Sequence, residues 1–418
     1  MTVFDMARSA LHTDPYGTIA GLREQGALVR ARYLEGSEIW LATRDAEVRA
    51  VLADPRFVVD PASVPGGRAA DTRRDAMRAM GMDEELIPYL TEAILDHDPP
   101  DHSRLRKLVS RAFTVRRITE MRPRVEETCK RLLAALPDHA ENGAVDLIEH
   151  FAYPMPITVI CDLVGVPESE RSLWLGWSHG LMSAEPVAMR AALREMVGHI
   201  REMINARRAA PAGRLLDALI EAREAGGDRL SETELITMVL SLVVAGHETT
   251  AHLIGNGTVA LLTHPAQLAA VRADPGLLPD LVHEVQRWCG PLLYGRLRYA
   301  REDLELGGER VAAGDAVMAL IVGANRDPAR YPDPDRFDVL RPREPGRGEE
   351  HVGFGHGPHY CLGAALARQE AEAGFGALLA SYPDLALAVP EQELEWLPRP
   401  GFRRLARLPV HLSAARLR

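Results

Sequence analysis

The chain has 418 residues, 46% hydrophobic and 26% charged, with a net charge of −10. That is globular composition with ample apolar material for a core, and its acidic balance excludes a general nucleic-acid binder. Four cysteines, Cys129, Cys161, Cys289 and Cys361, lie far apart with no CxxC pair, which argues against a zinc ribbon, a redox dithiol or a disulfide framework. The start, MTVFDMARSALHTD, carries no apolar signal segment, and the longest apolar run, around MVLSLVVAG, is too short for a bilayer. The expectation is a soluble cytoplasmic protein without membrane or nucleic-acid partners. With no linker, repeat or low-complexity run, it should form a single domain over residues 1–418.

In chain order, GSEIWLAT reads as a short strand. DPPDHSRLRKL opens a helix, with Asp101 or Ser103 as candidate cap. His102 and Arg106 lie four apart on one face of it, and two cationic donors so placed suit a carboxylate or phosphate; a solvated face is the plainer alternative. From His102 to Arg124 there are eight Lys/Arg (Arg104, Arg106, Lys107, Arg111, Arg116, Arg117, Arg122, Arg124) against Glu120 alone, either a solvated face or a dock for an acidic partner. RPRVEETCKRLLAAL and EPVAMRAALREMVGHIREMINARR repeat apolar residues at helical spacing. A longer helix follows from a capping box at Ser231 and Glu234 to Pro265, spanning about 50 Å. Its length and apolarity predict a path through the middle of the molecule. EVQR, Glu284 to Arg287, is an i,i+3 ion pair of no diagnostic value alone. DLELGGERV and AVMALIV read as strands, and LGAALARQEAEAGFGALLASY as a last helix. The fold class is mostly α with small β-sheets, an α+β arrangement rather than alternating βαβ units.

Two places attract chemistry. In the long helix, AGHETTAH suggests a zinc site, but His247 and His252 are five apart, about 140° around the helix, and cannot easily share a metal. Glu248, Thr249 and Thr250 remain as polar residues in an apolar helix. They read either as a structural bend with satisfied hydroxyls, after Gly246, or as a groove that holds a small ligand and passes protons. The second place is FGHGPHYCLG, where Phe354, Gly355, Gly357, His359, Cys361 and Gly363 precede a helix. Closely spaced glycines let backbone approach a large flat object, and the helix N-terminus favours thiolate over thiol. A buried thiolate without a partner is costly, so a metal cation is implied.

These residues resemble cytochrome P450, the haem-thiolate monooxygenases. The likeness runs in order through HSRLR, AGHETT, EVQR, RYAREDLELGG, ANRDPARYPDPDRFD and FGHGPHYCLG. It implies a mostly helical fold with haem b between the long helix and the cysteine loop. Cys361 matches the axial thiolate ligand. His102, Arg106, Arg298 and His359 match the residues that hold the haem propionates, and Phe354 the aromatic that shields the sulfur. Gly355 and Gly363 belong to the same loop, and Ala245 to the helix face over the haem. Thr249 matches the oxygen-activating threonine, with Glu248 its acidic neighbour. Glu284 and Arg287 match a structural pair that Arg336 should join in a buried network. Ile94, Leu95, Leu242, Leu292, Leu293 and Leu397 hold places in the pattern that line the substrate pocket.

The stretch DPPDHSRLRKLVSRAFTVRRITEMRPRVEE is similar to bacterial members that hydroxylate or epoxidise macrolides. The resemblance implies O2 as co-substrate and a bulky, mainly apolar natural product of secondary metabolism. The chain has no GxGxxG after a strand and no room for a flavin domain. NAD(P)H should therefore act only indirectly, through a ferredoxin reductase and a ferredoxin, for which the basic run is the candidate dock. Two other readings remain: a peroxide-using haem-thiolate enzyme, and a haem-containing module that recruits a carrier protein without turnover.

Overall fold

The computed structural model describes residues 3–7, 11, 13–33, 36–67, 69, 72–181, 183, 185–224, 230–343 and 349–413. Contacts gather the chain into two compact units, each drawn from separated stretches. One holds Met1–Ala69, Cys129–Tyr153 and Thr249–Arg418; the other holds Ala70–Thr128 and Pro154–Glu248. Among the described residues every strand lies in the first unit, and the second is built of helices and turns. No described helix is long and apolar enough to cross a membrane.

The first unit is organised by a six-stranded sheet. Its strands are β1 (Phe4–Asp5), β2 (Leu28–Arg32), β3 (Glu38–Ala42), β4 (Phe57–Val58), β5 (Leu297–Ala300) and, after the hairpin of β6 (Leu304–Leu306) and β7 (Glu309–Val311), β8 (Ala316–Ala319). The order is β1-β2-β3-β8-β5-β4. Strands β3 and β8 pair in parallel, Trp40 opposite Val317, and β5 runs antiparallel to β8 with Arg298 opposite Val317. The two-residue period sorts the side chains. Trp40, Ala42, Val317 and Ala319 enter one apolar cluster, while Ile39, Leu41, Met318 and Leu320 enter another. AVMALIV is therefore a strand only in its first half; Ile321–Asn325 turns into a short helix. A second hairpin, β9 (Trp396–Arg399) with β10 (Phe402–Leu405), pairs Leu397 with Arg404.

Six of the described helices bear the helical stretches of the sequence and the candidate residues. They are α1 (Asp101–Ala112), α2 (Val115–Ala135), α3 (Pro186–Ala209), α4 (Glu232–Thr263), α5 (Leu278–Cys289) and α6 (Ala364–Ser381). The capping box of α4 is formed: Glu234 N–H donates to Ser231 Oγ at 3.1 Å, and Ser231 N–H donates to Glu234 Oε2 at 2.6 Å. Neither Asp101 nor Ser103 caps α1. Its N-cap is Pro100, and its first free amides are taken by backbone carbonyls of Asp98 and Pro100.

Helix α4 passes its neighbours without room for side chains at two points. A Cβ on Gly255 would lie 2.6 Å from Ile148 Cδ1, and one on Gly257 2.9 Å from Val285 Cγ1 and against Phe375. Asn256 between them donates through Nδ2 to the carbonyls of Cys289 and Arg403, both at 3.0 Å, tying α4 to the end of α5 and to β10.

Candidate active site

The cysteine loop is fastened before it reaches its sulfur. Arg287 on α5 is fully buried, and all five of its N–H donors are used. Nε and Nη2 grip Glu284 Oε2 and Oε1 at 2.7 and 2.8 Å. Nη1 donates to the carbonyls of Asn325 and Pro334, and Nη2 also donates to that of Arg336 at 3.0 Å. Arg336 thus joins through its backbone carbonyl alone. Its guanidinium is solvent-exposed and pairs with Asp338, which corrects the expected side-chain role. Arg341 is the cation that reaches Glu284, at 3.4 Å, while its other nitrogens bind turn carbonyls.

This buried network hands on to the loop. Asn325 Oδ1 accepts from Val352 N–H at 2.8 Å, and Gln286 Nε2 donates to the Gly353 carbonyl at 2.8 Å. A Cβ on Gly353 would lie 2.7 Å from Gln286 Cγ. Gly355 and Gly357 both sit at left-handed φ, +80° and +71°, and a Cβ at Gly357 would lie 2.8 Å from Ala53 Cα. The loop closes where Cys361 N–H donates to the Phe354 carbonyl at 2.8 Å. Gly363 is the N-cap of α6, so Cys361 comes three residues before the helix.

Cys361 stands apart from the other cysteines. None of the four is in a disulfide, but Cys129, Cys161 and Cys289 are buried within helices while Cys361 is half-buried in its loop. Burial pushes the thiols of Cys161 and Cys289 up to about 12. Those three are small core hydrophobes. In the same unit as Cys361, Arg298 puts a buried guanidinium on β5 and His359 a half-buried imidazole in the loop. One sulfur on constrained backbone, with two nitrogen donors in the same unit, suits a thiolate-held metal beside an anionic group.

Helix α4 carries the second set. Between Leu235 and Leu261 every residue is buried except Ser241, Leu242, Val244, Ala245, Gly246 and Thr249. Leu242, Ala245 and Thr249 fall at i, i+3 and i+7, so one open stripe crosses an otherwise packed helix. Behind that stripe Glu248 and His247 are buried, with His247 Nε2 3.9 Å from Glu248 Oε2. His247 Nδ1 lies 2.8 Å from the Val243 carbonyl, so it carries the proton and donates.

Two buried groups were missed in the sequence. Glu370 on α6 is 1% exposed, and its burial holds its carboxyl well above the usual carboxylate range, opposed only by a hydrogen bond from Thr250. It stands against Thr250, the residue that follows Thr249. Its place among Ala371, Ala373 and Phe375 on a small-residue helix was the available signal. The imidazoles of His283 and His351 meet at a 45° tilt with centroids 4.4 Å apart, and His351 faces Phe354 at 5.8 Å. Burial first, then nearby arginines, lowers His283 to about 4.

In the helical unit, His102 is buried on α1 with Arg106 half-buried one turn on. The basic run is less open than expected. Arg104 pairs with Glu234, Arg116 with Glu120 at 2.8 Å, Arg122 with Glu126 at 3.0 Å and Arg124 with Asp162 at 2.6 Å, while Arg117 donates to the Ala112 carbonyl. Of the pocket candidates, Leu293 is 1% exposed inside the sheet core, which removes it from any lining. Ile94, Leu242 and Leu292 are half-buried, and Leu95 and Leu397 exposed.

The cytochrome P450 family model matches residues 181–386. The chain is 42% identical to the cytochrome P450 monooxygenase PikC of Streptomyces venezuelae over 96% of its own length and 92% of that protein's. It is 39% identical to the 6-deoxyerythronolide B hydroxylase of Saccharopolyspora erythraea over 99% of each. The solved structure of the bacillaene polyketide synthase cytochrome P450 PksS of Bacillus subtilis superposes with a TM-score of 0.86, at 33% identity, covering 97% of this chain and 98% of that one. This chain therefore belongs to the cytochrome P450 family and is a P450 monooxygenase, an enzyme class that uses haem and O2.

Proposed function

We propose that the enzyme hydroxylates or epoxidises a bulky, mainly apolar polyketide or macrolide, with Cys361 as the haem ligand. The observation that carries the ligand assignment is the loop itself: of four cysteines, only Cys361 lies outside a helix, on backbone fixed by positive-φ glycines and fastened to the Arg287 network. The substrate class is supported by the 6-deoxyerythronolide B hydroxylase and the polyketide synthase P450 among the relatives, and by the aliphatic character of Ile94, Leu95, Leu242, Leu292 and Leu397.

The haem, when bound, supplies oxygen activation and C–H oxidation; the protein supplies orientation and protons. His102, Arg106, Arg298 and His359 would donate to the propionates, with paired donors from each guanidinium. Phe354 shields the sulfur. The Thr249 hydroxyl, on the open stripe of α4, would hold a proton at Oγ1, and the Glu248 carboxyl would replenish it. Electrons come from a ferredoxin reduced by an NAD(P)H-dependent reductase. The dock lies around Lys107 and Arg111, the exposed cations of α1. A single folding domain and a cytoplasmic site of action belong to the same proposal.

Replacing Cys361 with His should abolish the thiolate-type absorbance band of the reduced carbonyl complex while haem is still retained. An unchanged band would assign the ligand elsewhere. Thr249→Ala should leave stability almost unchanged but divert electrons to hydrogen peroxide, measured as peroxide per NAD(P)H consumed; fully coupled turnover would remove its role. Screening polyketides and macrolides for those that shift the haem from low to high spin tests the substrate class, which fails if only unrelated compounds do so.

A further inference from the structure

A salt-bridged cluster lies on the cysteine loop that none of the roles above uses. Glu349, on the segment leading into the loop, accepts a hydrogen bond from the Tyr360 hydroxyl at 2.6 Å and an ion pair from Arg368. Arg368 stands on α6, and its Nη1 also approaches the Tyr360 hydroxyl at 3.4 Å. Its guanidinium carbon lies 5.6 Å from the centre of the Phe354 ring. Tyr360 is the residue before Cys361, and the Phe354 carbonyl accepts the Cys361 amide. One carboxylate thus clasps the entry to the loop, the residue beside the sulfur and the helix after it. The carboxylate is largely buried, 15% exposed, and the guanidinium 37% exposed, so their fields reach the loop only partly screened.

We propose that Glu349 and Arg368 are positioning residues whose paired opposite charges keep the reduction potential of the haem that Cys361 holds between the values either charge alone would give, with Tyr360 as the mechanical link. The inference rests on Cys361 being the ligand. The reduced haem-thiolate carries one more negative charge than the oxidised form. A bare cation on α6 therefore favours reduction, and a bare carboxylate at 349 opposes it. While the pair is intact the two fields largely cancel, and the hydroxyl bond keeps the loop from drifting.

The test is spectroelectrochemical titration of the purified holoenzyme, with the carbonyl spectrum recorded alongside. Glu349→Gln should make the midpoint potential more positive, Arg368→Gln should make it more negative, and the double variant should return towards wild type. Arg368→Lys, which keeps the charge, should leave the potential at the wild-type value. Tyr360→Phe, which changes no charge, should also leave it unmoved but hasten loss of the thiolate-type band on warming. Each sign is separately decisive, so one variant that fails to hold haem does not block the test. Equal shifts in one direction for the two single variants, or none, would overturn the proposal and leave the cluster a plain structural clasp. If wild type itself lacks the thiolate-type band, the ligand reading fails first, before any potentials are compared.

Discussion

The glycine loop around Cys361 and the middle of α4 both bury polar side chains among apolar ones, and they treat them differently. Beneath the loop, Arg287 spends all five donors on Glu284 and three carbonyls, and Asn325 and Gln286 extend the network to Val352 and Gly353. Those contacts tie one guanidinium and two side-chain amides mainly to backbone groups, and the result is geometry. Along α4 the buried titratable groups are His247, Glu248 and His252, and Glu370 on α6 stands against Thr250. The chain keeps the two arrangements on different elements.

The largest test of that contrast is Arg287→Ala. It takes the closest cation from the Glu284 carboxylate, leaving it Arg341 at 3.4 Å, and strands three carbonyls in a dry interior, a loss on the order of 3–5 kcal/mol for a broken buried pair. That is a large share of the stability of an ordinary fold. Denaturant titration should show the loss, with little holoenzyme recovered; a stable, haem-loaded variant would mean the loop does not depend on this network. Glu370→Gln should act in the opposite sense. The folded carboxyl titrates above its unfolded value, so the wild type loses stability as pH rises from the ordinary carboxylate range towards the raised value. The glutamine variant should melt higher than wild type at neutral pH, and the gain should vanish on acidification. A variant that melts lower at neutral pH would show that Glu370 is charged in the fold.

The smallest expected effect is at His283, beneath the loop yet titratable. Its depressed value means that the unfolded chain takes a proton which the fold refuses, so stability falls as pH drops from 6.5 towards about 4. The groups that face it are His351, Arg343, Arg287 and Arg368, with Asp280 one turn back on α5. His283→Gln should make that acid limb shallower without changing the neutral melting temperature. An unaltered limb would assign the acid sensitivity to His351 alone.

What the sequence disclosed follows from which interactions have a residue signature. Gly355 and Gly357 are legible because positive φ favours glycine, and at Gly357 Ala53 also stands where a Cβ would fall, and the Ser231–Glu234 box because its spacing is its mechanism. The partners of Arg287 are not, because three are backbone carbonyls that any residue supplies; Arg341, not Arg336, brings its side chain to Glu284. The acids at 120 and 126 that neutralise α2 sit at i+4 and could be read, whereas Asp162 and Glu234 are distant in sequence. Leu293 shows the limit for pockets: an aliphatic residue serves a core and a lining equally well until its neighbours are known.

The six-stranded sheet also sets a timetable for synthesis. Strand β3 finds its parallel partner in β8, and the Trp40 side chain donates to Asp315, a separation of 275 residues. At about 5–20 residues per second, β3 waits about 15–55 s on the ribosome with that edge unpaired. Closing so long a loop pays its entropy before the sheet returns any energy. The β2–β3 hairpin, with Ile39, Leu41 and Val29 on one face, therefore spends that interval as an open edge that another nascent chain can pair with. Slower induction and cooler growth should raise the soluble yield of this enzyme more than any change to its active site.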